Sequence, residues 1–179
     1  FLGDGLKDNV NLDWSVITGI LRVARESIFS GLNNLKVCSL THNAYADKFG
    51  LLESEVDDLL HHFDLSNKMS EVKSWYNGYT SGDSHTVYNP WSIVNFADNK
   101  GNFQPYWVNT SSNIIIKNLI RNSDQEIKSD LELLLQGKSI QKTIDENIVF
   151  EDVYKKNNSL WSFLLFCGYL TFKNRTLID

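Results

Sequence analysis

The sequence predicts a chain that begins as α/β and becomes mainly α. Sheet and helix run to about Gly50, and mostly helices with a few short strands follow. Three observations carry this expectation. First, Trp14–Leu21 sets β-branched Val16 and Ile17 beside Ile20 and Leu21, the composition of a strand buried on both faces of a parallel sheet. Second, beyond Gly50 the apolar residues recur at helical spacing, as in Val56, Leu59, Leu60 and Phe63. Third, helix starts and stops punctuate that half, including Asn89-Pro90 and Gly137.

Taken in order, Phe1 to Leu12 reads as a helix end running into a polar connection, and the Trp14–Leu21 strand follows. Arg22 to Phe29 is a short helix or irregular turn, and Ser30–Asn34 is a loop by composition. Leu35–Leu40 is a second apolar run, read as a neighbouring core strand. Glu53–Phe63 is an amphipathic helix whose acids Glu53, Glu55, Asp57 and Asp58 form a solvated face, with early carboxylates suited to the helix dipole. Ser70 is a candidate N-cap for a helix carrying Val72, Trp75 and Tyr76, stopped by Asn77-Gly78.

Ser81–Ser84 reads as a turn and Thr86–Tyr88 as a short strand. Asn89 and Pro90 supply N-cap and first turn of the next helix, whose buried side is expected to hold Trp91, Ile93, Val94 and Ala97. Thr110–Ser112 caps a helix with Ile115, Ile116, Leu119 and Ile120. Asp124–Gln136 is another, with Ile127, Leu131, Leu134 and Leu135 inward. Ile140–Ile144 is read as a short strand, Leu160–Gly168 as a central apolar helix, and Tyr169–Phe172 as a strand.

Composition narrows the function classes. The chain has 179 residues, 42% hydrophobic and 22% charged, which fits a globular fold with a real core. Its net charge of −5 argues against a dominant nucleic-acid face, which needs clustered cations. Cys38 and Cys167 sit in separate apolar runs, and no histidine stands at metal-ligand spacing, so two free thiols and no metal site are expected. Leu160–Phe172, at about 13 residues, is shorter than the roughly 18 that a membrane span requires. The expectation is a cytoplasmic chain with no membrane partner. Both ends read as cut from something longer.

The candidate site residues follow from the first strand. Thr18-Gly19 puts a hydroxyl and a flexible joint where that strand meets Arg22 and Arg25. The carboxyl end of a core strand is where open α/β sheets meet ligands, and a guanidinium fork suits a phosphate. The competing reading is a threonine bonded to backbone with arginines in solvent. The aromatics Trp75, Tyr76, Tyr79, Trp91, Trp107 and Trp161 are read as core packing rather than base-stacking groups, because no basic residues surround them.

Six stretches together resemble the AAA-ATPase-like family, bacterial P-loop NTPase-like proteins often fused to a C-terminal PD-(D/E)XK nuclease-like domain. They are TGILRVARESIFSGLNNL at 18–35, YADKFGLLESEV at 45–56, WYNGY at 75–79, VYNPWSIV at 87–94, YWVNTSSN at 106–113 and LWSFLLFCGYLT at 160–171. One departure is Leu52, where the family commonly has a capping threonine. The resemblance implies that residues 1–50 are the C-terminal part of a P-loop NTPase core, 51–110 a helical lid region, and 111–179 a helical module leading to a further domain. It implies Thr18 as a polar sensor and Arg22 as the group neutralising charge on the transferring phosphoryl. Arg25 is a weaker nucleotide contact, and Asn89 and Pro90 form a helix-opening element against the base. ATP and Mg2+ are the implied cofactors, held mainly by residues outside these 179, since no complete Gly-x-x-x-x-Gly-Lys-Ser/Thr occurs here: the one Gly-Lys-Ser, at 137–139, has Glu132 where the first glycine would stand. Nucleic acid, reached through the nuclease-like domain, and an oligomer are partners the resemblance allows. The alternative from another class is a non-catalytic helical scaffold that binds a protein partner.

Overall fold

A computed structural model describes residues 5–6, 9–19, 36–76, 78–83, 85–107, 112–121, 123–149, 153 and 159–176. It is mixed α/β: six helices and one three-stranded antiparallel sheet among the described residues. The elements are β1 (Leu51–Leu52), α1 (Glu53–His62), α2 (Met69–Tyr76), β2 (Tyr79–Ser81), β3 (His85–Tyr88), α3 (Pro90–Asp98), α4 (Ser112–Arg121), α5 (Gln125–Leu135) and α6 (Ser159–Phe166). They fall into two compact units. Unit 1 takes residues 1–37 and 114–169, and unit 2 takes 38–113 and 170–179.

Unit 2 is organised by β3, the central strand. It pairs with β1 through Leu51 to Tyr88 and Leu52 to Val87, and with β2 through Tyr79 to Val87, Thr80 to Thr86 and Ser81 to His85. The sheet is therefore antiparallel, and β2 continues the chain reversal that the sequence showed only as a turn at Ser81–Ser84. Gly82, at φ +59°, makes that reversal with a backbone angle glycine adopts freely. Gly78 allows a second close approach, because a Cβ there would lie 2.0 Å from the Val87 carbonyl oxygen.

The helices of unit 2 form where apolar spacing matches the turn of the helix. Val56 and Leu60 of α1, Val72 of α2, and Ile93, Phe96 and Ala97 of α3 join Leu65 and Tyr88 in one buried cluster. The start of α1 has Leu52 at its N-cap and no side-chain acceptor there, as the missing threonine implied. Half of a capping box remains, since the Leu52 backbone N–H donates to Glu55 Oε2 at 2.7 Å. The second helix starts at Met69 after a 3-10 turn over Ser66–Lys68, so Ser70 lies inside it rather than at its cap.

At α3 the Asn89 side chain accepts from Ser92 N at 3.3 Å and Pro90 takes the first turn, as the sequence indicated. The buried face of α3 differs from expectation. Ile93, Phe96 and Ala97 are buried, whereas Trp91 is 59% exposed and Val94 is exposed too. Positions 93, 96 and 97 share one side of a helix, and 91 and 94 lie on the other.

The chain returns to unit 2 near its end. Thr80 N donates to Thr171 Oγ1 at 3.1 Å, on the outer edge of β2. Arg175 donates to the Thr41 carbonyl and pairs with Asp83, which Asn43 Nδ2 also reaches. Tyr169–Phe172 is irregular rather than a strand.

Unit 1 holds most of α4, all of α5 and all of α6. Asp124 caps α5, accepting from Ile127 N at 3.0 Å, and Gly137 follows it at φ +76°. Ile127 is buried, but Leu135, expected inward, is exposed at the helix end. Residues Ser159 to Leu165 of α6 are all buried, as befits a helix that is apolar but for Ser159 and Ser162. Asp145 N donates to Ser162 Oγ at 2.8 Å, and Lys142 lies 2.7 Å from Asp130 and over the Trp161 ring. Ile140–Ile144 is irregular, not a strand.

The expected strands before Gly50 differ most. The described part of the first, residues 14–19, is irregular, with Trp14 78% and Val16 77% exposed. Residues 36–39 of the second are irregular as well. Apolar β-branched residues form a strand only where a neighbour pairs with their backbone, and among the described residues neither stretch is paired in a sheet. Among the described residues, no helix is long and apolar enough to cross a membrane.

Candidate functional site

A cleft of about 260 Å³ opens in unit 2, lined by Trp75, Tyr76, Tyr79, Asn89, Ser92, Pro105, Tyr106 and Trp107. Three elements and one connection supply it. The C-terminal turn of α2 presents Trp75 and Tyr76, and Tyr79 opens β2. Asn89 and Ser92 come from the start of α3, and residues 105–107 come from the connection after it.

Aromatic packing holds this wall in place. Phe103 stacks on Trp75, with centroids 5.6 Å apart, and lies 4.6 Å from buried Phe96. The Tyr76 hydroxyl donates to the Gln104 carbonyl at 2.9 Å and accepts from Gln104 N at 3.2 Å. Trp91 Nε1 donates to the Tyr106 carbonyl at 3.2 Å, and Tyr106 Oη donates to Asn102 O at 2.6 Å. These bonds tie residues 102–106 to α2 and α3, so the connection is a fixed part of the wall. Burial pushes the Tyr76 and Tyr106 phenols above their ordinary range, so both remain neutral hydroxyls near pH 7.

Among the described residues, the lining carries no lysine, arginine or carboxylate. It offers no cation to a phosphate and no carboxylate to a magnesium ion, and suits an uncharged ring or side chain. Among the described residues, no group of three or more His, Cys, Asp or Glu side chains is placed to hold a metal ion.

The sequence-derived candidates distribute as follows. Thr18 is exposed in the irregular segment of unit 1, not at the end of a buried strand. Arg22 and Arg25 lie outside the described residues. Asn89 lines the cleft, while Pro90, next to it, is exposed and not part of the lining. The aromatics were the residues that local sequence reasoning missed. Read as core, Trp75 is 54% exposed and forms a wall of the cleft. The available signal was their recurrence in stretches 75–79, 87–94 and 106–113, but their convergence depends on the reversal at Gly82.

No family model matches the chain, and no solved structure matches it. A protein of Azotobacter chroococcum mcd 1, described as an uncharacterized protein in the vnfD 5' region, is 29% identical over 116 residues. The match covers 64% of this chain and 22% of that protein, so the chain spans about a fifth of the length of the curated relative it matches.

Proposed function

We propose that this chain is part of an ATP-binding protein of the AAA-ATPase-like kind, contributing sensor and lid elements to ATP binding and hydrolysis that control an attached nuclease-like domain. The observation that carries this reading is a convergence. Of the six stretches behind the resemblance, 75–79, 87–94 and 106–113 each supply lining residues to one cleft in unit 2. A cleft of that origin is what a lid region closing over a nucleotide requires.

In this reading residues 1–50 are the last strands of a P-loop core, and the segment around Thr18 pairs with strands that precede it in the longer polypeptide. The Thr18 hydroxyl orients the attacking water or the γ-phosphate, and Arg22 neutralises charge that builds on the transferring group. Arg25 adds a second cation. Asn89 and Pro90 set the start of α3 against the nucleotide. ATP with Mg2+ supplies the phosphoryl chemistry, and residues outside this chain hold the phosphates and the ion.

Turnover of ATP by a longer polypeptide containing this chain tests the assignment. Arg22→Ala is expected to lower kcat about 100-fold or more, with a smaller loss for Thr18→Ala, while each variant still binds ATP. Unchanged turnover in both variants refutes these roles.

A second reading rests on the exposed side of α3. Trp91 and Val94, one turn apart and both more than half exposed, form an apolar strip suited to a protein partner. A longer polypeptide that binds no nucleotide, yet loses a protein partner on Trp91→Ala, favours that scaffold.

A further inference from the structure

We propose that the aromatic cleft of unit 2 is a seat for a single nucleobase: a neutral planar heterocycle with a hydrogen-bonding edge, whose sugar and phosphates stay outside. This deepens the nucleotide reading, and rests on it in taking the ring to belong to a nucleotide.

Size gives the first argument. A cleft of about 260 Å³ falls just below the roughly 300–1,000 Å³ of sites that enclose a whole drug-sized ligand. It accepts one ring system and not a nucleoside triphosphate. Charge gives the second. With no cation in the lining among the described residues, an anionic ligand meets no opposite charge there, so a neutral part is favoured. Surface chemistry gives the third. Trp75 stacks one face on Phe103 and is still 54% exposed, and Tyr76, Tyr79, Tyr106 and Trp107 share the lining. Bases stack on such side chains because every base has a π-face.

Two polar groups complete the seat. Asn89 spends its Oδ1 on the Ser92 backbone N–H, and its Nδ2 makes no hydrogen bond among the described residues. The Ser92 hydroxyl makes none there either. One amide donor and one hydroxyl thus sit beside an aromatic wall, ready to pair with the edge of a base. The Asn89 cap fixes the position of both, since it locks the first turn of α3.

The test is calorimetric titration of the full 179-residue chain with adenosine, guanosine, cytidine and uridine, which carry no phosphate. At least one nucleoside is expected to bind. Trp75→Leu is expected to weaken it about tenfold, the scale of a lost stacking contact. Asn89→Asp keeps an equally good helix cap but replaces the amide donor, so it weakens binding while leaving thermal unfolding unchanged. Absence of binding by all four nucleosides to the folded chain at millimolar concentration overturns the proposal. So does binding that neither variant alters.

The outcomes separate from those of the ATPase reading. Nucleoside binding that depends on Trp75, with turnover indifferent to Thr18→Ala and Arg22→Ala, keeps the seat and removes the assigned catalytic roles. Turnover that falls with Arg22→Ala but ignores Trp75→Leu and Asn89→Asp removes the seat alone.

Discussion

In unit 2, Val56, Leu60, Val72, Tyr88, Ile93 and Phe96 are buried together around the central strand β3. In unit 1, Val10, Trp14, Val16 and Ile17 lie in solvent along an irregular stretch. Both regions contain residues that favour strands. His85–Tyr88 became one because Leu51–Leu52 and Tyr79–Ser81 satisfy its backbone from two sides. The segment from Trp14 to Gly19 has comparable side chains and no paired neighbour among the described residues. The contrast teaches that strand identity belongs to a pairing and not to a stretch of sequence.

If unit 2 carries the packed core, disturbing it has a large effect and disturbing the irregular stretch has almost none. Phe96→Ala is expected to lower unfolding free energy by about 3–5 kcal/mol in urea titrations, as for other large core aromatics. Trp14→Ala is expected to stay within about 0.5 kcal/mol of the parent. Equal effects would break the comparison. Gly78→Ala is next: its Cβ would meet the Val87 carbonyl, so an overpacking loss of about 1–3 kcal/mol or more is expected, with β2 displaced from β3 in amide exchange. Asn89→Ala follows, at about 0.5–2 kcal/mol from the lost cap, read as a drop in Tm that Asn89→Asp does not reproduce.

Titration sharpens the contrast from the other side. In unit 1, burial pushes the Cys167 thiol up to about 11. At pH 8 only about a thousandth of it is thiolate, so alkylation by iodoacetamide is slow and keeps accelerating up to about pH 11. The sign follows from the raised value: its contribution to stability holds at pH values below its ordinary 9.0 and is lost as pH rises through about 11. In unit 2 the sense is reversed. Hydrogen bonds from Asn43 and Arg175 hold the exposed Asp83 carboxyl below its ordinary 3.8. Its small contribution is present above 3.8 and fades as pH falls through the lowered value. Arg175→Gln is expected to reduce this acid sensitivity in pH-dependent melting curves, the smallest of these effects.

How much of this was legible depended on how local each cause is. Asn89-Pro90, Asp124 and Gly137 act within one turn of chain, and the helix limits they imply agree with the structure. The apolar stripe of α1 is equally local: Val56 and Leu60 are buried and Leu59 half-buried as the spacing implies, whereas Phe63, at the C-cap, is exposed. β1, at two residues, and β2, at three, are too short to leave a pattern of alternation, and exist through their register with β3. Trp91 was assigned to the core because it sits in an apolar helix away from basic residues, but the helical period set by Ile93, Phe96 and Ala97 turns it outward. For the candidate site, Asn89 was legible as a cap. The wall around it was not, because Trp75 and Trp107 come to line one cleft only through the reversal at Gly82.

The clasp of Thr171 and Arg175 on residues 41, 80 and 83 sets a timetable for synthesis. Arg175 lies 92 residues beyond its partner Asp83, so a ribosome delivers it roughly 5–20 s later at ~5–20 residues per second. During that interval Asn43 and the Leu40 carbonyl, which accepts from Gly82 N and Ser81 Oγ, hold the β2–β3 reversal, and the outer edge of β2 lacks Thr171. A gene trimmed after Asn113 to isolate this unit would make that interim condition permanent.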